Sequence, residues 1–111
     1  MICAIHQPHY LPWGRYFQKI IQADVFVILD DVNFTKNGWQ NRNKIKTPNG
    51  AQLLTVPVVH RFGQKINDVE LNYQTGWVKK HVLGIKQAYS KAPFFDQLFP
   101  EFLEILEKSK I

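Results

Sequence analysis

Two short apolar runs near the start of the chain predict two buried strands. Residues 2–6 read Ile-Cys-Ala-Ile-His, and residues 25–29 read Val-Phe-Val-Ile-Leu. The second run is unbroken, which fits a strand covered on both faces, as in a parallel sheet. Between the runs, apolar residues at helical spacing predict a helix over residues 15–22. These residues are Tyr16, Phe17, Ile20 and Ile21. Strand, helix and strand in this order form a βαβ unit, whose crossover should be right-handed.

The middle of the chain has the pattern of a β-hairpin. Two β-type runs flank Pro48-Asn49-Gly50, and Asn-Gly between two such runs is a strong hairpin signal. We therefore predict antiparallel strands over residues 42–47 and 52–57. Asn49-Gly50 should form a type I′ turn, which requires a positive φ at both residues. The segment that follows is irregular, except for a short strand near Val69–Leu71.

The last third of the chain is predicted to be helical. Thr75 can cap a helix that runs to Ser90. Pro93 then opens a second helix that runs to Lys108, which Pro100 can bend. The buried stripe of the first helix should consist of Trp77, Val78, Val82, Ile85 and Tyr89.

Composition indicates one soluble, folded domain over residues 1–111. A chain of 111 residues has room for one domain. Its 45% hydrophobic and 14% aromatic content argues against disorder. No apolar run approaches the roughly 18–20 residues of a membrane span, and no signal peptide is expected before the first strand. The single cysteine, Cys3, is expected inside a buried strand and cannot form an internal disulfide. These features favour a reducing, cytoplasmic location.

The formal net charge of +5 is compatible with an anionic ligand, a nucleic acid or an acidic surface. The basic residues are spread along the chain, so a solvated surface explains them equally well. No nucleic-acid-binding motif is present, and nucleic acid is therefore not favoured as a partner.

Polar side chains follow the ends of the two predicted parallel strands. In an open α/β sheet, ligands bind outside the carboxyl ends of the strands. The first loop there spans residues 7–14 and contains two prolines and a glycine; the second begins at Asp30. We therefore expect these loops to converge on one crevice. The residues brought together would be His6, Gln7, His9, Asp30 and Asp31.

The histidines and aspartates of these loops could carry chemistry. His6 and His9 could bind phosphate, polarise a leaving oxygen or shuttle a proton. Equally, His6 could be a core histidine bonded to a carbonyl, and His9 could be an exposed loop residue. Neighbouring side chains on a strand point to opposite faces, so at most one of Asp30 and Asp31 enters the crevice. It could hold a ribose hydroxyl or a magnesium ion. Alternatively, one aspartate could cap the following turn while the other is solvated. A zinc site is not favoured, because the other histidines lie far away in sequence.

Basic and aromatic residues follow in the same region. Lys36, Arg42 and Lys44 could hold phosphate or carboxylate, for which arginine is well suited. On the predicted hairpin, Arg42, Lys44 and Lys46 share one face, a pattern that a plain amphipathic strand explains equally well. Four aromatic residues could stack on a sugar or a base, although core packing is the commoner fate of tryptophan. They are Tyr10, Trp13, Phe34 and Trp39. The familiar glycine-rich phosphate-binding and hydrolase motifs are absent.

Four stretches resemble the WbqC-like protein family. They are His-Gln-Pro-His-Tyr-Leu-Pro-Trp at 6–13, the segments at 23–34 and 39–50, and Leu-Thr-Val-Pro-Val at 54–58. The resemblance covers most of the chain and implies a bacterial protein encoded among genes for O-antigen or other surface polysaccharides. It also implies a transferase acting on a nucleotide-activated or amino sugar. The alternative is a non-catalytic module that binds a sugar nucleotide or a partner protein. Family members are longer, and this chain resembles their amino-terminal half.

A second resemblance concerns the fold. Strand, His/Pro-rich loop, helix and strand resemble the start of the HIGH-motif nucleotidyltransferases and pantothenate synthetases. Only His9 matches their motif, because the glycine and the second histidine are missing. The expected fold is α/β, with a Rossmann-like, nucleotidyltransferase-like βαβ start, a β-hairpin insertion and carboxyl-terminal helices.

These expectations combine into one hypothesis about the site. The catalytic residues would be His6, His9 and Asp30. The residues that bind the ligand would be Gln7, Asp31, Lys36, Arg42 and Lys44. The ligand would be a small phosphorylated compound or a sugar nucleotide, magnesium is an open option as cofactor, and no protein metal site is expected.

Overall fold

Three two-stranded sheets and three α-helices make up residues 1–108, the part of the chain that the computed structural model describes. The elements are β1 (Cys3–His6), α1 (Gly14–Gln22), β2 (Val25–Ile28), β3 (Arg42–Thr47), β4 (Gly50–Thr55), β5 (Val58–Val59), β6 (Glu70–Leu71), α2 (Trp77–Tyr89) and α3 (Phe95–Lys108). Two short 3₁₀ helices, Ile66–Asp68 and Tyr73–Thr75, precede β6 and α2. The chain divides into two compact units. The first comprises residues 1–43 and 58–71; the second comprises residues 44–57 and the chain from Asn72 onward. No helix among residues 1–108 is both long and apolar enough to cross a membrane.

The predicted βαβ start of the first unit is confirmed. β1 and β2 pair in parallel, with Cys3 opposite Val25 and His6 opposite Ile28, and α1 connects them. The carboxyl ends of both strands therefore lie at the same edge of the sheet. The first unit also contains β5 and β6, which pair antiparallel. The strand expected near Val69–Leu71 is thus present as β6, while its partner β5 was not predicted.

The burial predicted for β1 and β2 is wrong within the described residues. α1 covers one face of this sheet, where the Tyr16 ring lies 5.6 Å from that of Phe26 and 4.8 Å from that of His6. Cys3, predicted to be buried, is exposed, as are most of the aliphatic side chains of both strands. The reason is that a two-stranded sheet with one helix has only one covered face. An unbroken apolar run shows that both faces of a strand can be buried, but it does not show that other elements cover both faces.

Helix α1 buries less of its apolar stripe than expected. Tyr16 is buried, whereas Phe17, Ile20 and Ile21 are exposed. The described part of the first unit therefore has one strongly buried hydrophobic side chain, Tyr16, and its ring lies against those of His6 and His9.

The hairpin is present, but its turn differs from the prediction. β3 spans the predicted residues 42–47, while β4 begins at Gly50, two residues earlier than expected. Gly50 has a φ of +109°, but Asn49 has no positive φ. Pro48 and Asn49 form the turn, and this order fits a type I turn closed by a glycine bulge rather than a type I′ turn. Proline favours this outcome, because its fixed φ suits the first central position of a type I turn.

Replacing Gly50 with valine should lower the free energy of unfolding by about 1–3 kcal/mol, the usual cost of a strained backbone conformation. A side chain at Gly50 would meet no atom within 4 Å, so the cost comes from its positive φ alone. Urea denaturation measures the effect. The neighbouring Ala51→Val variant is the control, because it places valine at an exposed position of β4 that does not have a positive φ. Equal stability of the two variants would show that Gly50 does not hold this conformation.

The second unit contains most of the buried core. Its buried hydrophobic residues are Ile45, Leu54, Val56, Trp77 and Leu106. The predicted cap of α2 is wrong: the helix begins at Trp77, with Gly76 as N-cap at a φ of +68°. Thr75 instead ends a 3₁₀ turn, whose first residues are capped by the Asn72 side chain accepting from Gln74 N. α3 begins at Phe95, two residues after the predicted start at Pro93, and it contains Pro100 and ends at Lys108 as expected.

His81 is a buried residue of α2 that the predicted stripe did not include. It is 2% exposed, and its Nε2 lies 2.9 Å from the Thr55 carbonyl oxygen. A carbonyl only accepts, so Nε2 carries the proton that it donates. Burial lowers the pKa of His81 from the ordinary value of 6.5, and Lys80 lowers it further, against the opposing effect of the Thr55 hydrogen bond.

The stability of the chain should therefore fall as the pH drops below about 6.5. A histidine whose pKa is lowered by folding binds fewer protons in the folded state than in the unfolded state. Its contribution is complete above the unfolded pKa and is lost as the pH falls through the folded pKa. His9, whose pKa is also lowered, acts in the same direction.

Denaturation midpoints measured from neutral to acidic pH test this prediction. His81→Gln keeps an amide N–H able to bond Thr55 but does not titrate, so its stability should depend less on pH. An unchanged pH dependence in that variant would contradict the assignment.

Candidate functional site

Four hydrogen bonds join the loop after β1 to the loop after β2 and the start of β3 within the first unit. Gln40 Nε2 donates to Gln7 Oε1 at 2.7 Å. The backbone N–H of Tyr10 donates to the Trp39 carbonyl at 3.3 Å. Asn43 Nδ2 donates to the Leu11 carbonyl at 2.7 Å and to the Tyr10 carbonyl at 3.3 Å. The two loops thus form one connected surface, as the parallel pairing of their strands predicts.

His6, His9 and Tyr16 form an aromatic cluster beneath this surface. The His6 and His9 ring centroids lie 4.8 Å apart, and those of His9 and Tyr16 lie 5.5 Å apart. The Tyr16 hydroxyl donates to the Gln7 carbonyl at 3.1 Å, and His6 Nδ1 lies 2.9 Å from the same oxygen. Because that oxygen only accepts, His6 Nδ1 carries a proton. In the neutral ring, Nε2 of His6 is therefore the acceptor.

His9 is held in its neutral form at neutral pH. Burial lowers its pKa from 6.5, and the nearby His6 and Lys19 lower it further. A neutral imidazole can accept a proton or a hydrogen bond, but it offers no positive charge to a phosphate. The role of His9, in acid–base chemistry or in phosphate binding, stays a prediction.

Four residues line a small cleft of about 240 Å³ on this surface, here named the aromatic cleft. They are His9, Trp13, Trp39 and Asn43. Trp13 is 52% exposed and Trp39 is 47% exposed, so neither has the core-packing role that is commoner for tryptophan. The cleft is smaller than the roughly 300–1,000 Å³ of typical small-molecule pockets. It could therefore take one ring of a larger ligand.

An arginine lies near the ring of each tryptophan in the cleft. Arg15 Cζ lies 5.8 Å from the ring centroid of Trp13, and Arg42 Cζ lies 5.7 Å from that of Trp39. Both distances are within the range of cation–π attraction. Arg42 also donates from Nη2 to the carbonyl of Asn37, a residue with a positive φ of 64°. Arg42 thereby ties the loop after β2 to the start of β3.

The structure does not bring the remaining predicted residues into the aromatic cleft. Asp30, Asp31 and Lys36 are exposed, and none of them lines the cleft. The Asp30 backbone carbonyl accepts from Asn67 N at 2.9 Å, so this stretch connects to the 3₁₀ helix before β6. Lys44 is exposed on β3 and belongs to the second unit. The roles assigned to these four residues stay predictions.

No group of three His, Cys, Asp or Glu side chains within residues 1–108 is placed to hold a metal ion. Asp30 and Asp31 supply two exposed carboxylates, and Mg²⁺ is usually bound through one or two carboxylates together with waters and substrate phosphates. Magnesium as a cofactor stays a prediction, and we derive no step through this ion.

Several residues of the site were not singled out from the sequence. Gln40 holds the two loops together, since its Nε2 donates to Gln7 and its Oε1 accepts from Thr35 N at 2.9 Å. Asn43, Arg15 and Tyr16 were missed in the same way. Amides in a polar loop carry no periodic signal. The one available signal was that Gln40 and Asn43 lie inside the 39–50 stretch that resembles the family.

Comparison with known proteins gives a consistent family assignment. The sequence model of the WbqC-like protein family matches residues 7–111. The Mycobacterium tuberculosis protein named "Uncharacterized protein Rv1507c" is 44% identical over 107 residues, which cover 91% of this chain and 46% of that protein. The chain thus spans about half the length of this curated relative. No solved structure matches significantly, so the nucleotidyltransferase-like fold stays a prediction. Since the family match and the similarity to this relative both extend over most of the sequence, the chain belongs to the WbqC-like protein family.

Proposed function

We propose that the first unit binds a sugar nucleotide, or another phosphorylated sugar, at the aromatic cleft. The observation that carries this proposal is the pair of half-exposed tryptophans, Trp13 and Trp39, on one small cleft beside a neutral imidazole. Exposed aromatic faces stack on sugar rings and bases. The amide of Asn43 contributes polar atoms, as specific ligand sites typically do.

The charge around the cleft suits the phosphate part of such a ligand. Arg15 and Arg42 lie at the rings of the two tryptophans, and arginine binds phosphate through paired hydrogen bonds. Two buried polar atoms of this region, His9 Nδ1 and Arg42 Nε, have no hydrogen-bond partner among the described residues. Buried polar atoms without a partner are costly, and a polar ligand that orders this region could relieve that cost.

The reaction that we propose is a transferase step in the biosynthesis of bacterial surface polysaccharides such as O-antigen, carried out in the cytoplasm. An acceptor hydroxyl would attack the anomeric carbon of the activated sugar, and the bond from that carbon to the phosphate oxygen would break. Neutral His9 would take the hydroxyl proton, while the nucleoside diphosphate would leave with the bonding electrons. His6 and Tyr16 would hold the imidazole in place through their ring contacts.

A second candidate is a non-catalytic module that binds a sugar nucleotide. One observation favours it: the cleft is lined by histidine, tryptophan and asparagine, without a carboxylate. A site built for acid–base catalysis usually combines a base with an orienting group. Binding alone requires only the stacking and hydrogen-bonding residues that are present.

Replacing Arg42 with alanine should weaken the binding of a nucleotide sugar by about 1–3 kcal/mol, as expected for a hydrogen bond that involves charge. Replacing the neutral His9 with alanine should weaken binding by about 0.5–1.5 kcal/mol, as expected for a neutral hydrogen bond. A thermal-shift screen of nucleotide sugars selects the ligand, and isothermal titration measures its affinity. Lys86→Ala is the control, because it removes one positive charge from exposed α2 and should bind as the original chain does. Raising the salt concentration should weaken binding as well, because exposed charge contacts are screened.

The two candidate functions differ in the expected outcome for His9→Ala. A transferase loses turnover by more than it loses affinity, because the base acts in the transition state. A binding module shows no turnover in either form. Unchanged affinity in both the His9 and the Arg42 variants would contradict the proposed site.

A further inference from the structure

One face of the β1–β2 sheet is apolar and uncovered within the described residues. The parallel register pairs Cys3 with Val25 and Ile5 with Val27. Side chains alternate along a strand, so these four residues share one face of the sheet, here named the bare face. The opposite face carries His6 and Phe26, whose rings contact Tyr16 of α1.

The side chains of the bare face are more exposed than is usual for a face of a parallel sheet. Ile5, Val25 and Val27 are between 40% and 58% exposed, and Cys3 is exposed as well. Parallel strands connected by helices are covered on both faces in nearly all proteins that contain them. Here β1 and β2 have a helix on one side and four adjacent apolar side chains on the other.

The size and shape of the bare face favour a helix as its occupant. A stable interface between two copies needs roughly 800 Å² from each partner, and four short side chains on two strands offer much less. An amphipathic helix needs only a narrow apolar stripe, and helices on both faces of a parallel sheet are a standard layered arrangement. Such a helix would cover the bare face as α1 covers the other face.

The length of the mycobacterial relative indicates where such a helix would come from. The chain matches 46% of that protein, so more than half of the relative is further polypeptide outside the match. We propose that the bare face is the docking surface for an amphipathic helix of that further polypeptide, here named the second half. The inference does not depend on the sugar-nucleotide proposal, since the bare face and the aromatic cleft share no residue.

Cys3 gives a direct test, because it is the single cysteine of the chain and lies on the bare face. We would compare the chain alone with a fusion in which it replaces the matched part of the mycobacterial protein. Thiol alkylation of the peptide containing Cys3 is followed by mass spectrometry under native conditions. The rate of alkylation should fall at least about tenfold in the fusion, because alkylation of Cys3 then requires the covered face to open. An equal rate in a fusion that unfolds cooperatively would overturn the proposal.

A second measurement tests the proposal if the fusion fails to fold. The tagged chain and the second half of the relative are produced together as separate polypeptides and purified through the tag. They should co-purify in equal amounts, and Val27→Lys should abolish the association by placing a charge on the bare face. Val59→Lys is the matched control, because Val59 is 56% exposed on β5, outside this sheet. Equal co-purification of both variants, or none with the original chain, would overturn the proposal.

Discussion

Replacing Leu54 with alanine is expected to lower the free energy of unfolding by about 2–5 kcal/mol, the range found for leucine in well-packed cores. Leu54 is 1% exposed and lies on β4 among the buried residues of the second unit. A Cβ placed on Gly84 of α2 would lie 3.9 Å from Leu54 Cδ2, so the side chain packs closely against that helix. Truncation would remove these contacts and leave a cavity that the hairpin and the helix fill only in part.

The neighbouring residue provides the control for this prediction. Leu53 is 45% exposed, and it points to the opposite face of β4 because side chains alternate along a strand. Leu53→Ala should therefore cost much less, and guanidinium denaturation of both variants measures the difference. Equal losses for Leu53 and Leu54 would show that β4 does not bury one face in this register.

Replacing Trp39 with alanine should weaken the binding of a nucleotide sugar by about 1–3 kcal/mol, the usual effect of removing an aromatic ring that stacks on a base or sugar. The variant would lose one wall of the aromatic cleft and the ring beneath the Arg42 guanidinium. Folding should be affected less than binding, because the ring is half-exposed and the Tyr10 hydrogen bond goes to the Trp39 backbone carbonyl.

Isothermal titration with the ligand from the thermal-shift screen measures this loss. Trp13→Ala should reduce affinity in the same way, because Trp13 forms another wall of the cleft. Phe94→Ala is the control, since it removes a 65% exposed aromatic ring from the second unit. Normal affinity in both tryptophan variants would show that the ligand binds elsewhere.

The parts of the fold that the sequence predicts correctly are those with strong local signals. The apolar runs locate β1 and β2, and their separation by a helix predicts the parallel pairing. Alternation locates β3 over residues 42–47, with Ile45 buried between exposed Lys44 and Lys46. Periodicity and contiguous apolar residues are properties of the segment itself, so the predictions based on them do not depend on how the rest of the chain folds.

The errors arise where tertiary context or a neighbouring residue decides the outcome. The apolar run of β2 shows that the strand can be buried on two faces, but coverage depends on other elements. Thr75 is a good capping residue by type, yet the Asn72 cap and the positive φ of Gly76 move the helix start to Trp77. At the hairpin, Pro48 shifts the turn by one residue, and Gly50 becomes the first residue of β4.

The candidate site is predictable in its place but not in its composition. Strand topology predicts that the loops after β1 and β2 meet, and the Gln7–Gln40 hydrogen bond joins them. Asp30 and Asp31, which follow β2, were expected in the crevice, but the two tryptophans and Asn43 line the aromatic cleft with His9. Which side chain of an irregular loop turns inward depends on hydrogen bonds between distant residues, and sequence spacing does not encode these.

Tryptophan fluorescence in a Trp77→Phe variant tests the central claim most directly. The chain has three tryptophans; once Trp77 of the second unit is replaced, all tryptophan emission comes from Trp13 and Trp39 on the aromatic cleft. Titration with a panel of nucleotide sugars should change this emission in a saturable way for at least one member, and His9→Ala in the same background should shift the midpoint to higher concentration. Emission that stays constant across the panel would contradict a sugar-nucleotide site at this cleft.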